Sequence, residues 1–198
     1  LGKNKRIAYT PSKYMIISEN PTLKLSINGI QIHTQLAGGY NKNNIAATDC
    51  VARFFGVSTE KIADAISNYV PVNHRSQLIV KNNKSIILDA YNANPTSMRA
   101  AVLSFGNKAE KKVVILGTMG ELGAHEATEH KALVELVDTM KIDGCYWIGA
   151  PFKNFVDANW FETTDAFAEY LKTNPIEANQ ILIKGSRSVG LERLLGYL

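Results

Sequence analysis

Two runs of this sequence, Val113-Val114-Ile115-Leu116 and Ile181-Leu182-Ile183, contain no polar residue at all. A strand that faces water on one side alternates polar and apolar residues. One without alternation is buried on both faces, as in a parallel sheet covered by helices. Around these runs the apolar spacing turns helical and back again. The pattern predicts strands over 78–81, 85–88, 112–116, 144–148 and 180–183, and helices over 95–105, 126–140, 165–172 and roughly 190–195.

Strands alternating with helices specify an α/β domain of Rossmann-like architecture, about 125 residues long. The earlier part of the chain reads differently. Leu23, Leu25 and Ile27, then Ile30 and Ile32, alternate on either side of Asn28-Gly29, a two-residue hairpin turn signal. Helical spacing over 44–55 stops at Gly56. Ser58 is placed to cap a second helix that carries Ile62, Ala65, Ile66 and Tyr69 and ends before Pro71. The helix-ending Val70-Pro71 step and the polar stretch after it put a domain boundary at 70 to 75, dividing the chain into 1–71 and 72–198.

With 45% hydrophobic and 20% charged residues among 198, the composition is that of a globular protein with a real core. No stretch reaches the roughly 18 consecutive apolar residues of a membrane span. Leu1-Gly2-Lys3-Asn4-Lys5-Arg6 is basic but has no apolar segment behind it, so it does not read as a secretory signal. The chain opens without Met and in mid-pattern, which leads us to expect part of something longer. Cys50 and Cys145 have no ligand-type neighbours at metal spacing and are expected to be buried free thiols in a reducing cytoplasm. The net charge of +4 is spread thinly, and the loop over 108–112 reads as a solvated edge. Without a basic stripe or interleaved aromatics, a nucleic-acid partner is not expected.

The chemistry concentrates where a buried strand ends, at Asp89-Ala90-Tyr91-Asn92-Ala93-Asn94-Pro95. Asn94 followed by Pro95 is a helix-start signal, and ligands in open α/β sheets bind just beyond the carboxyl ends of strands. A carboxylate suits ribose hydroxyls, and side-chain amides both donate and accept. An ordinary strand–turn–helix junction would look the same from local physics alone.

Four further segments accompany this corner in order: Gly38-Gly39-Tyr40-Asn41-Lys42-Asn43-Asn44-Ile45-Ala46-Ala47; His74-Arg75-Ser76-Gln77; Leu116-Gly117-Thr118-Met119-Gly120-Glu121-Leu122-Gly123; and Lys184-Gly185-Ser186-Arg187. Together with D-A-Y-N-A-N-P-T-S-M they resemble the Mur ligase family, in the branch that adds D-alanyl-D-alanine to the cell-wall precursor. The match spans residues 38 to 187.

That resemblance implies a cytoplasmic ATP-dependent ligase. The carboxylate of a UDP-N-acetylmuramoyl-tripeptide would take the γ-phosphoryl group as an acyl phosphate, and the amine of D-alanyl-D-alanine would then attack. Such chemistry needs a phosphate cradle, Mg²⁺ and tight positioning. No G-x-x-x-x-G-K-[ST] occurs in the chain. By the resemblance, that loop and the metal ligands belong to a central domain whose tail is residues 1–71, the hairpin and helices, while 72–198 is the C-terminal domain. The partners would then be the two substrates and the missing N-terminal and central domains. The chain alone is expected not to catalyse ligation.

Carried over by motif, Asn41 and Asn44 would approach the nucleotide; the alternative for both is N-capping of the helix that follows, with Asn41 favoured for the nucleotide and Asn44 suited to either. Arg75 would meet ATP phosphates. Asp89 would bind ribose hydroxyls or orient its neighbours, with Asn92 and Asn94 near the base or ribose and Asn94 equally a plain cap. Arg75 and Asp89 are both read as lying in polar loops, replaceable without loss of folding. Glu121 and the Lys184, Ser186 and Arg187 group would hold the amine substrate, the latter by its terminal carboxylate. Thr118 stands where the family has an acid, which leaves Glu121 as the acid of that loop. His125 and His130, at i and i+5, are not at metal-ligand spacing and read as surface histidines. His33 and His74 have no partner visible in the sequence.

Two other readings compete. Folylpolyglutamate or cyanophycin synthetases resemble the chain at the Asp-to-Pro corner but tend to carry H-N-P there. A Rossmann-like binding module without catalysis would keep the fold and not the chemistry.

Overall fold

The computed structural model describes residues 8–106 and 110–198, so the basic amino terminus and Lys108 lie outside the described residues. The chain divides into two compact units, Leu1–Val70 and Pro71–Leu198.

In the first unit, β1 (Met15–Ser18), β2 (Lys24–Ile27) and β3 (Ile30–His33) form an antiparallel sheet in that order. Asn28 and Gly29 both take positive φ, 50° and 81°, which gives the β2–β3 turn the twist that matches the strands. Helices α1 (Asn41–Phe54) and α2 (Thr59–Asn68) complete the unit. Leu23, Leu25, Ile27 and Ile32 of the sheet pack with Ile45, Ile62 and Ile66 of the helices. The sequence did not indicate β1, whose residues are mostly exposed and carry no alternation. Helix α1 starts three residues earlier than its apolar spacing suggests, because Asn41 itself opens it. Ser58 caps α2 as expected, accepting from the Lys61 N–H. The inward face of α2 is Ile62, Ala63 and Ile66. Ala65 and Tyr69, expected inside, are exposed.

The second unit is a six-stranded sheet. Strands β4 (Gln77–Lys81) and β5 (Lys84–Asp89) form an antiparallel hairpin through Asn82 and Asn83, both at positive φ. From β5 onward the chain runs α3 (Pro95–Gly106), β6 (Lys112–Gly117), α4 (Glu126–Asp138), β7 (Gly144–Ile148), β8 (Trp160–Phe161), α5 (Thr164–Leu171) and β9 (Gln180–Lys184). The spatial order is β4-β5-β9-β6-β7-β8, and every pair from β5 to β8 is parallel. The last predicted helix is a short 3₁₀ turn, Leu191–Gly196. The two-residue edge strand β8 was not anticipated.

Side chains alternate across the sheet. Ile86, Leu88, Val113, Ile115, Ile181 and Ile183 pack with Phe167 and Leu171 of α5 and with Leu191, Leu194 and Leu198. Ile87, Val114, Leu116 and Leu182 point to the opposite face and are equally buried. Helices α3 and α4 lie against each other. Among the described residues no helix is long and apolar enough to cross a membrane.

Candidate functional site

Strand β9 is the last in sequence yet lies between β5 and β6. The chain leaves β5 over β9 to β6, proceeds outward to β8, and returns. The reversal comes only on the return from β8, which sets β9 in the middle of the sheet, and in open α/β sheets ligands bind just beyond the carboxyl ends of the strands. Register fixes what meets there. Asp89 of β5 pairs across from Lys184 of β9, and Lys184 pairs across from Leu116 of β6.

Lys184 is 1% exposed, and its Nζ lies 2.7 Å from Asp89 Oδ2. It also donates to the Asn92 carbonyl at 3.3 Å. The other carboxylate oxygen, Oδ1, accepts from the Ser76 N–H at 3.1 Å. The Ala90 N–H donates to the His74 carbonyl at 2.9 Å, so the segment ahead of β4 is sewn to the end of β5. Asp89 therefore belongs to the strand and not to a polar loop, and the expectation that alanine could replace it without loss of folding is corrected. Lys184 is likewise turned inward. Of the three cationic or hydroxyl groups read as a carboxylate grip, only Arg187 is exposed, and Ser186 is buried.

Arg75, also exposed, lies over the Tyr91 ring with its guanidinium carbon 3.7 Å from the ring centroid. The guanidinium of Arg187 approaches the same ring at 5.3 Å. Hydrogen bonding and charge from Arg75, then the charge of Arg187, hold the Tyr91 phenol below its ordinary value. Two segments more than 100 residues apart in the sequence thus place cations at one aromatic ring beside the buried ion pair. Planar guanidinium groups stack on aromatic faces and keep their edges for carboxylate or phosphate. Tyr91 was inside the motif but was not singled out. An aromatic two residues past a strand-end carboxylate was the available signal.

The loops above β6 and β9 are pressed together. A Cβ on Gly185 would sit 2.9 Å from the Gly117 Cα and 2.8 Å from Leu191. Only glycine allows this approach. The Ser186 N–H donates to the Thr118 carbonyl at 2.9 Å, and the Thr118 N–H to the Ile148 carbonyl at 3.2 Å. Met119 follows, buried, and Glu121 stands exposed with φ at 60°.

His130 is not a surface histidine. It is fully buried, with Nε2 accepting from the Met119 N–H at 3.0 Å and Nδ1 2.7 Å from the Glu126 carbonyl. Its ring meets Phe152 edge-on, 4.8 Å between centroids. The i, i+4 position facing the buried side of α4 was the overlooked signal. His125 and His33 are exposed. Both cysteines are half-buried, not fully buried as expected; burial, then the charge of Asp138, pushes the Cys145 thiol well up.

Asn94 caps α3, its Oδ1 accepting from the Ser97 N–H at 2.9 Å while Ser97 Oγ accepts from the Asn94 N–H. Asn92 is exposed. In the first unit, buried Asn41 donates back to the Ala37 carbonyl at 2.8 Å and accepts from exposed Asn44 at 3.0 Å. Neither side chain caps α1. Among the described residues no three His, Cys, Asp or Glu side chains are grouped to hold a metal ion.

Residues 74–187 match the family described as Mur ligase, glutamate ligase domain. The chain is 33% identical to the UDP-N-acetylmuramoyl-tripeptide--D-alanyl-D-alanine ligase of Treponema pallidum, over 84% of this chain and 38% of that protein. For the enzyme of the same name from Bacillus subtilis the identity is 32%, over 86% and 40%. A crystal structure of MurF from Acinetobacter baumannii superposes with a TM-score of 0.74 and 26% identity, covering 96% of this chain and 43% of that one. The chain thus spans about two fifths of the length of the curated relatives it matches.

Proposed function

Because this chain belongs to the Mur ligase family, through the glutamate ligase domain matched over residues 74–187, we propose that it is part of an ATP-dependent ligase joining D-alanyl-D-alanine to a UDP-N-acetylmuramoyl-tripeptide. The amine-adding specificity is inferred from relatives that carry that name. In this reading ATP activates the tripeptide carboxylate by phosphorylation. The chain's own residues bind, orient and neutralise charge around that event.

One observation carries the assignment of the site. Arg75 and Arg187 converge on Tyr91 at the carboxyl end of the sheet, next to the paired tips of β5 and β9. Two exposed guanidinium groups beside a crevice suit anions, and their stacking on Tyr91 limits the rotamer freedom that binding would otherwise have to remove. In the proposal Arg75 takes ATP phosphate oxygens and Arg187 takes the terminal carboxylate of the dipeptide. Asp89 acts mainly as the second alternative weighed from its sequence, an orienting group: it holds Lys184 and the Ser76 backbone, and so fixes the segments next to which both arginines stand. Asn92 and Glu121, both exposed, remain proposed contacts to nucleotide and amine. Asn41 and Asn44 are proposed to reach the nucleotide from the first unit. Mg²⁺ and the phosphate cradle would come from chain outside this sequence.

The test is an assay of the full-length protein with ATP, UDP-N-acetylmuramoyl-tripeptide and D-alanyl-D-alanine. The expected result is phosphate release that needs both substrates and a product heavier by one dipeptide less water. Transfer of a single amino acid instead of the dipeptide would move the protein to another branch of the family.

A further inference from the structure

The loop after β6 leaves a buried strand, turns within three residues and presents Glu121 in a left-handed conformation that an ordinary residue takes only at a cost. Such a conformation persists when its surroundings over-determine it. Two of the restraints come from the end of β7 and the loop after β9: Thr118 donates to the Ile148 carbonyl and accepts from the Ser186 N–H. The third comes from a side chain. Met119 N–H, the last of the three before the turn, donates to His130 Nε2.

An amide N–H only donates and a carbonyl only accepts, so one tautomer satisfies both contacts of His130. Its proton is on Nδ1, directed at the Glu126 carbonyl in the first turn of its own helix, and Nε2 is left as an acceptor. The ring cannot swing away. It is wholly buried, and Phe152 packs against it edge-on. Helix α4 therefore grips the loop through a fixed acceptor, where leucine would fill the same space and leave the Met119 N–H without a partner.

We propose that His130 is a positioning residue for the substrate loop: by accepting from Met119 N–H it sets the backbone that aims Glu121 and abuts Ser186. This rests on the reading of Glu121 as a contact to the amine substrate. His130 touches no substrate itself. Gly120 and Ser186 are neighbours, since a Cβ at Gly120 would lie 3.2 Å from Ser186 Oγ. A loop that drifts at Met119 would therefore loosen both sides of the amine site together.

Two substitutions separate this role from plain packing. His130→Phe keeps an aromatic ring against Phe152 and removes the acceptor. His130→Gln loses the ring and restores an acceptor, its Oε1, at about the reach of Nε2. In the full-length protein the expected result is a rise in KM for D-alanyl-D-alanine of about ten- to a hundredfold for His130→Phe. KM for ATP should stay within about twofold, and His130→Gln should recover most of the loss. Equal KM values for wild type and His130→Phe, or recovery by Phe and not by Gln, would overturn the proposal. A second readout stands apart from catalysis. In the 198-residue chain, ¹H–¹⁵N spectra should show the His130 proton on Nδ1, and the Met119 amide should exchange slowly in wild type and His130→Gln but rapidly in His130→Phe. If the wild-type full-length protein does not ligate the dipeptide, the functional reading fails while this amide pattern still judges the hydrogen bond; a fast-exchanging wild-type Met119 amide would remove the positioning role outright.

Discussion

Lys184 Nζ and Asp89 Oδ2 lie 2.7 Å apart at the tips of adjacent parallel strands, in register with each other and closed off from water. The lysine has lost its hydration and the carboxylate most of its own, and each finds its main partner in the other. Ser76 and Asn92 complete the pairing through backbone groups. This relationship ties β5 to β9 at the site where function is proposed.

The two groups should therefore be coupled, so that losses on removing them do not add. Lys184→Met leaves a desolvated carboxylate, a change that costs about 3 to 5 kcal/mol in comparable buried pairs. Urea unfolding of the 198-residue chain should show that loss. The double variant Asp89→Asn/Lys184→Met should be less destabilised than the sum of the two single changes. Additive losses would mean that the two groups are not coupled.

Gly185→Ala tests the close approach of the two loops. The new methyl would meet the Gly117 backbone, which cannot swing aside as a side chain can. A destabilisation of about 1 to 3 kcal/mol is expected from overpacking of this kind. Thermal unfolding followed by circular dichroism measures it, and Gly196→Ala, where no atom lies within reach of the added methyl, is the control.

Tyr91 reports on the two arginines. Its phenol is held below the ordinary value, first by Arg75 and then by Arg187. Because the cations favour the phenolate, Arg75→Ala should move the titration upward, and by more than Arg187→Ala does. Tyrosine ring ¹³C shifts followed against pH in the two variants would show this. An unmoved Tyr91 titration in Arg75→Ala would mean that the stacking seen here is not populated in solution.

Arg75 is exposed, and its contact with Tyr91 is worth only about 0.5 to 1 kcal/mol to the fold. Arg75→Ala in the full-length protein should accordingly melt close to wild type while kcat/KM for ligation falls about a hundredfold or more. Unchanged kinetics would take Arg75 out of the site.

The 198-residue chain by itself should bind ATP weakly and not hydrolyse it, since it has no G-x-x-x-x-G-K-[ST] segment. Isothermal titration and phosphate release measure the two halves of that statement. Sustained hydrolysis by a clean preparation would refute it.

Much of this protein was determined by the sequence acting locally. Unbroken apolar runs at 113–116 and 181–183 fit strands buried on both faces, and the Asn28-Gly29, Ser58 and Asn94-Pro95 signals act within three or four residues of where they stand. Asp89 was legible as a carboxylate at a strand end, while Arg75, Glu121 and Arg187 were legible as candidates through the resemblance of their motifs to a known family. What no local pattern could decide was which of them face water and which face one another. Strand order does that: because β9 inserts between β5 and β6, Lys184 meets Asp89 and is lost from the surface, while Arg187, three residues on, remains outside beside Tyr91. His130 was misjudged on similar grounds, its burial depending on Phe152 and Met119, which the fold brings from other elements. Burial and charge pairing are properties of neighbours in space, and only the tertiary structure supplies those.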